Sequence, residues 1–198
     1  MQGHKTMARA GDHIENPVTG ERVMFRVTTA DSAGALLSFE YVVPGYYVIA
    51  PPHVHRRQEE RTEVRAGRLS GRVAWRTRTA GPGEVVTVPA GVVHAWRNAA
   101  AEPLHAVVEF RPALRTETML EQLFALARAG KTNSRGLPPP LHMAVLAYEY
   151  CDEGGVPLIP RAVQRAIFAG PAVLGRRRGY GASAAVTDSP ANDRTAGW

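Results

Sequence analysis

Cys151 is the only cysteine in 198 residues. It cannot form an intrachain disulfide, and a zinc site built from several thiolates is excluded. Long apolar runs are missing too, since none approaches the roughly 20 residues that cross a bilayer. The opening residues Met-Gln-Gly-His-Lys-Thr-Met-Ala-Arg-Ala lack an apolar core, so no secretory signal is expected and a cytoplasmic location is the default. Acidic residues are the scarcer charge, 18 against 24 Lys plus Arg, which leaves a formal charge of +6. The arginines are scattered rather than drawn into a stripe, and no DNA- or RNA-binding motif accompanies them. Neither nucleic acid nor a membrane is therefore expected as a partner. The remaining composition, 44% hydrophobic and 21% charged, is that of an ordinary globular domain.

The chain changes character near Pro112. Before it, short apolar runs alternate with turn signals, as strands do. They span Val23 to Thr28, Leu36 to Val43, Tyr46 to Ala50, Arg72 to Thr77, Val85 to Val88 and Leu104 to Phe110. Many short strands without helical periods between them indicate an all-β barrel or sandwich. After Pro112 the period becomes helical. Thr118 and Glu121 fit a capping box, and Met119, Leu120, Leu123, Phe124 and Ala127 then share one face. The stretch His142 to Tyr148 is apolar nearly all round, a third helix is expected from Pro160 through Ile167, and Ala172 to Leu174 suggests a short fourth. The expected organisation is a flexible tail over 1–10, a β domain over 11–112, a helical extension over 113–175 and a disordered tail over 176–198.

Pro51-Pro-His53-Val-His55 carries two imidazoles in alternate positions, which face the same side of an extended segment and can share one ion. Glu59 and Glu60 follow. Beyond them Thr62, Val64 and Ala66 alternate with Arg61, Glu63 and Arg65, so the even face is the interior one. Glu60 is then the inward carboxylate and Glu59 a surface charge. Gln58 shares the inward parity but sits in the turn. Further on, a strand ends at Pro89-Ala-Gly91 and the next begins at His94, in parity with Trp96 and Asn98. On an antiparallel neighbour, His94 would complete a set of three histidines and one glutamate.

These residues resemble the cupins. His53, His55, Glu60 and Gly67 fit the spacing of that family's first motif, His-x-His-x4-Glu-x6-Gly, and Gly83, Pro89, Gly91, His94 and Asn98 meet every fixed position of the second, Gly-x5-Pro-x-Gly-x2-His-x3-Asn. The leading glycine of the first motif would fall at Tyr47, with the nearest glycine at Gly45. The likeness covers roughly residues 20–112. It implies a mainly β fold, a jelly-roll barrel with a C-terminal helical extension, and one divalent transition ion held inside by His53, His55, Glu60 and His94. Fe(II) is the first expectation, and Mn, Ni, Zn, Co or Cu would suit the same mixed donors.

Such an ion favours an anionic or enolisable small molecule as substrate. A mononuclear non-haem oxygenase is the first functional expectation. The alternatives are a non-redox cyclase or isomerase of bacterial secondary (polyketide) metabolism, or a non-catalytic small-molecule binder. Tyr47, Ile49, Gln58, Trp96 and Asn98 are candidate pocket residues, Asn98 having also a turn-bonding reading. Glu60 and Glu109 are the candidate catalytic carboxylates. For Glu109 the alternation Leu104, Ala106, Val108, Phe110 leaves open an exposed, ion-paired place instead. The helical extension reads as scaffold, lid or dimer contact, and a homodimer is the expected assembly.

Overall fold

A computed structural model describes residues 8–181. Two antiparallel sheets face each other. The larger is ordered β1 (His13–Glu15), β2 (Arg22–Val27), β3 (Leu37–Val43), β10 (Leu104–Arg111), β5 (Glu59–Ala66) and β8 (Val85–Val88). The smaller is ordered β4 (Tyr47–His53), β9 (His94–Asn98), β6 (Leu69–Val73) and β7 (Arg76–Ala80). This is the expected jelly roll. The pairs β3–β10, β10–β5 and β5–β8 in the larger sheet and β4–β9 and β9–β6 in the smaller join strands that are not consecutive in sequence, so both sheets depend on long-range closure around a shared core.

Two apolar clusters fill the space between them. One contains Val23, Phe25, Leu37, Phe39, Val108 and Phe110, and the other Val43, Val64, Leu69, Val88, Trp96 and Leu104. Alternation sets which side chains enter. Along β10, Leu104, Ala106, Val108 and Phe110 are buried, as the alternation requires, and Val107 of the opposite parity is buried as well. On β5, Glu60, Thr62 and Val64 are buried, but Ala66 is exposed, because the pairing with β10 slips at His105/Ala106 and the alternation ends there.

The run Arg72 to Thr77, expected as one strand, is instead a hairpin. Val73 pairs with Arg76 across Ala74 and Trp75, whose φ angles are 47° and 66°. A two-residue hairpin turn of type I′ demands positive φ at both central residues, and glycine or asparagine normally signals it. Here neither is present, so the turn was unreadable.

The helical segment shares the barrel's core. Helix α1 (Thr116–Arg128) inserts Phe124 into the first cluster, and Leu120 and Leu123 pack against it. The expected capping box does not form. The helix starts three residues earlier, after Arg115, without a side-chain cap. Tertiary bonds fix its first turn instead: Gln58 donates to Thr116 Oγ1 at 2.8 Å, and Glu117 accepts the Thr29 N–H. Helix α2 (Pro140–Glu149) packs Leu146 against Leu126 and Tyr150. The expected third and fourth helices are one, α3 (Arg161–Arg177), with Pro171 inside it. Close packing on α2 carries the helix past the proline. A side chain at Gly175 would meet Val145 Cγ2 and the Leu141 carbonyl, so the two helices approach closely there. Arg176 and Arg177, assigned to the tail by composition, form the last turn of α3, and residues 182–198 lie outside those described. At the other end Ala8, expected in the flexible tail, packs against the first cluster, and residues 1–7 lie outside those described.

Candidate metal centre

His53 and His94 lie opposite each other in the β4–β9 ladder. Two register shifts along β4 each insert one residue, so Tyr47 and His53 keep the same parity although seven residues of β4 span only five of β9. His55 lies just past β4, and its carbonyl accepts the Gly91 N–H at 2.8 Å. That bond ties the first motif to the Pro89-to-Gly91 turn. Glu60 arrives from the opposite sheet on β5, beside Phe110 and Val88. One ligand atom from each of His53, His55, Glu60 and His94 lies within 4.8 Å of all the others. Glu60, His55 and His94 are buried and His53 is partly so.

The outer ring nitrogens settle the tautomers. His53 Nδ1–H donates to the Pro51 carbonyl at 2.9 Å, His94 Nδ1–H to the Val92 carbonyl at 3.0 Å, and His55 Nδ1–H to the Glu153 carbonyl. A carbonyl only accepts, so each Nδ1 carries the proton and each Nε2 turns its lone pair inward. There His53 Nε2 and His55 Nε2 are 3.0 Å apart, and Glu60 Oε2 is 3.1 Å from His55 Nε2 and 3.0 Å from His94 Nε2. Four acceptors converging in a buried space repel unless a positive charge sits among them. A proton on one imidazole can serve one contact, whereas a divalent cation serves all four. The cluster therefore fits a metal ion, and its mixed nitrogen and oxygen donors leave the element open.

Electrostatics agree. Burial pushes the His53 imidazole down to about 4, helped by His55 and His94, so it is neutral near pH 7. Burial alone would raise the Glu60 carboxyl, but positive charge at the facing His55 and His94 rings, where a metal ion would also place it, holds it well below the usual range. His94 moves up, against its burial, because it faces the Glu60 carboxylate. Trp96 Nε1–H donates to Glu60 Oε1 at 2.9 Å, and Thr62 Oγ1 lies 3.3 Å from the same oxygen. Phe110 lies edge-on to His55, with ring centroids 5.1 Å apart.

Other candidates fall elsewhere. Glu109 is not at the cluster. It lies on the outer side of β10, paired with Arg111 at 2.8 Å and Arg61 at 3.5 Å. Asn98 does not line a pocket. Its Nδ2 donates to the Pro44 and Glu102 carbonyls and its Oδ1 accepts the Ala100 N–H, fastening the turn between β9 and β10. Gln58 is fully buried and donates to the Pro112 and Ala113 carbonyls, so it too serves the fold. Trp96 touches the ligand carboxylate. Tyr47 and Ile49 pack on the second core cluster, and the Tyr47 hydroxyl donates to Glu21 at 2.9 Å.

Two participants escaped the sequence. Glu21 is buried and accepts hydrogen bonds from Tyr41, Tyr47 and Thr19. Its parity with Val23 and Phe25 was the available signal. The Glu153 carbonyl, which orients His55, had no signal, since it lies 98 residues away. His142, unassigned from sequence, is buried and stacked on Tyr180.

Residues 39–110 match the family model described as "Cupin domain". No curated protein matches the chain. Among solved structures, KdgF from Halomonas sp. is 21% identical at a TM-score of 0.41, over 47% of this chain and 79% of that one. A sugar phosphate isomerase of the cupin superfamily from Silicibacter pomeroyi is 16% identical at 0.43, over 50% and 70%. DMSP lyase DddQ from Ruegeria pomeroyi is 29% identical at 0.37, over 41% and 40%. These overlaps stop at half of this chain or less, and the activities named belong to those proteins.

Proposed function

Since the chain belongs to the cupin superfamily through residues 39–110, we propose that it is a metal-dependent enzyme acting on a small, oxygen-rich, anionic or enolisable substrate. The observation that supports this most is the convergence of three Nε2 lone pairs and one carboxylate oxygen, with every Nδ1 tied outward. Glu60 neutralises one of the two charges of a divalent ion, so a net positive charge is left to attract an oxygen anion. When bound, the ion would supply Lewis acidity toward a substrate oxygen and, if it is iron, a place for dioxygen. The chain's own residues do the rest. Trp96 and Thr62 hold the carboxylate in one orientation, while Phe110 and Trp96 form apolar walls that keep water from the ligand rings.

An oxygenase is the reading we favour. The carboxylate beyond the ligand set that the sequence offered as a general base, Glu109, is engaged with arginines on the outside of the sheet. A cyclase or isomerase would need another base, which makes it the second reading. The deciding measurement is metal content after purification without chelator, together with oxygen uptake. About one equivalent of iron and substrate-dependent oxygen uptake support the oxygenase. Bound zinc or nickel without uptake supports the non-redox reading. Less than about a tenth of an equivalent of any transition metal, unchanged after reconstitution, overturns both.

A further inference from the structure

His55 differs from the other two ring ligands in what holds it. His53 and His94 lean on carbonyls two residues before them in their own segments. His55 leans on Glu153, in the loop that follows α2. That loop also grips the residues on either side of His55. Val54 and Gly155 exchange both backbone hydrogen bonds, at 3.0 and 2.9 Å, and Arg56 N–H donates to the Asp152 carbonyl at 3.3 Å. Residues 152–155 thus lie as an added strand fragment along 54–56.

Arg56 fastens this arrangement from the other side. Its guanidinium donates to the Ile159 carbonyl at 2.7 Å and to Gln164 Oε1 at 2.9 Å. Gln164 is fully buried, and the same Oε1 accepts the Val156 N–H at 2.9 Å. Gly155 leaves room for the arginine: a Cβ there would lie 2.4 Å from Arg56 Nη1. The loop is in turn anchored to α1, because Glu153 is buried and its Oε1 accepts the Arg115 N–H at 3.1 Å.

We propose that the 152–156 loop is a strap whose docking positions His55 for metal, with Arg56 as the positioning residue that locks it. This rests on the metal-binding reading above. Because the strap supplies the bond that fixes the His55 tautomer, the undocked loop leaves a ligand free to rotate. Metal affinity and strap docking are then coupled, and the coupling is reciprocal, so a bound ion also holds the strap down. The helical extension is on this account part of the metal site's machinery as well as its scaffold.

The test uses the full chain and Co(II). Hydrogen exchange at 54–56 and 152–156 is measured with and without Co(II), and Co(II) affinity is measured by chelator competition for the wild type and Arg56→Ala, which removes no ligand. The expected result is slower exchange of both segments on Co(II) binding, about a 10- to 100-fold loss of affinity in the variant, and an altered visible Co(II) spectrum. Unchanged affinity and spectrum in a folded variant overturn the strap while leaving the metal site standing. So does wild-type exchange at 152–156 that ignores Co(II), which decides the matter if the variant does not fold. A wild type that binds no Co(II) overturns both readings.

Discussion

Trp96 Nε1 on β9 donates to Oε1 of Glu60 on β5 at 2.9 Å, across the barrel from one sheet to the other. The two oxygens of the carboxylate are thereby divided. Oε1 is occupied by the indole, and Oε2 is left facing His55 and His94. Trp96→Phe keeps an aromatic ring in place but removes the donor, so the carboxylate gains a rotation it did not have. Metal affinity is expected to fall about tenfold, as for other residues that orient a ligand. Isothermal titration with Zn(II) reads this directly, and equal affinities would show that the indole only fills space.

Neighbouring carboxylates should behave very differently. Glu60→Gln replaces the buried ligand oxygen with an amide and should weaken metal binding by about two orders of magnitude. Glu59→Gln, on the outward side of the same strand, should change it less than about twofold. Comparable losses would contradict the facing of β5.

The contrast between those two residues was legible because alternation on β5 is clean: Thr62 and Val64 on one side, Arg61 and Glu63 on the other. His94 was legible because a proline and a glycine mark the turn before its strand. What stayed hidden has physical reasons. Ala74 and Trp75 adopt positive φ without the residues that advertise it. Pro171 reads as a helix break, yet the close approach of Gly175 to α2, with Ala172 buried beside it in the sequence, outweighs its local cost. The bond from His55 to Glu153 is a main-chain contact between distant segments, and the identity of residue 153 does not encode it.

A base beside an ion would be useful, and that alone makes Glu109 a catalytic candidate. Its neighbours Arg61 and Arg111 put it in a partly exposed ion-pair group instead. Glu109→Gln is expected to leave kcat and KM within about twofold and to alter stability by less than about 1 kcal/mol, the usual worth of such pairs. A loss of kcat near a hundredfold, with metal content unchanged, would restore it as a catalytic group.

Asn98 offers a similar separation of roles. Its amide nitrogen lies 3.0 Å from the Pro44 carbonyl and 2.8 Å from that of Glu102. Asn98→Asp turns this donor into a third acceptor among carbonyls, so a cost of about 2 kcal/mol in urea unfolding is expected. The KM of the folded variant should not move, since the side chain faces the turn.

Gln58 carries the connection between barrel and helices. It is fully buried two residues before Glu60, and its Nε2 reaches the Pro112 carbonyl at 2.9 Å and both the Ala113 carbonyl and Thr116 Oγ1 at 2.8 Å. Gln58→Leu matches the shape but strands those acceptors in an apolar setting. Some of the penalty is offset, because Gln58 Oε1 is itself buried without a partner. A net loss of about 2–4 kcal/mol follows from the remaining unpaired groups. Metal stoichiometry should stay near one, because Trp96 and the β5–β8 pairing hold Glu60 independently of this side chain. Denaturant unfolding of the metal-free protein and metal analysis of the folded fraction check the two halves separately. A stable variant that has lost its metal would mean that Gln58 serves the cluster rather than the junction.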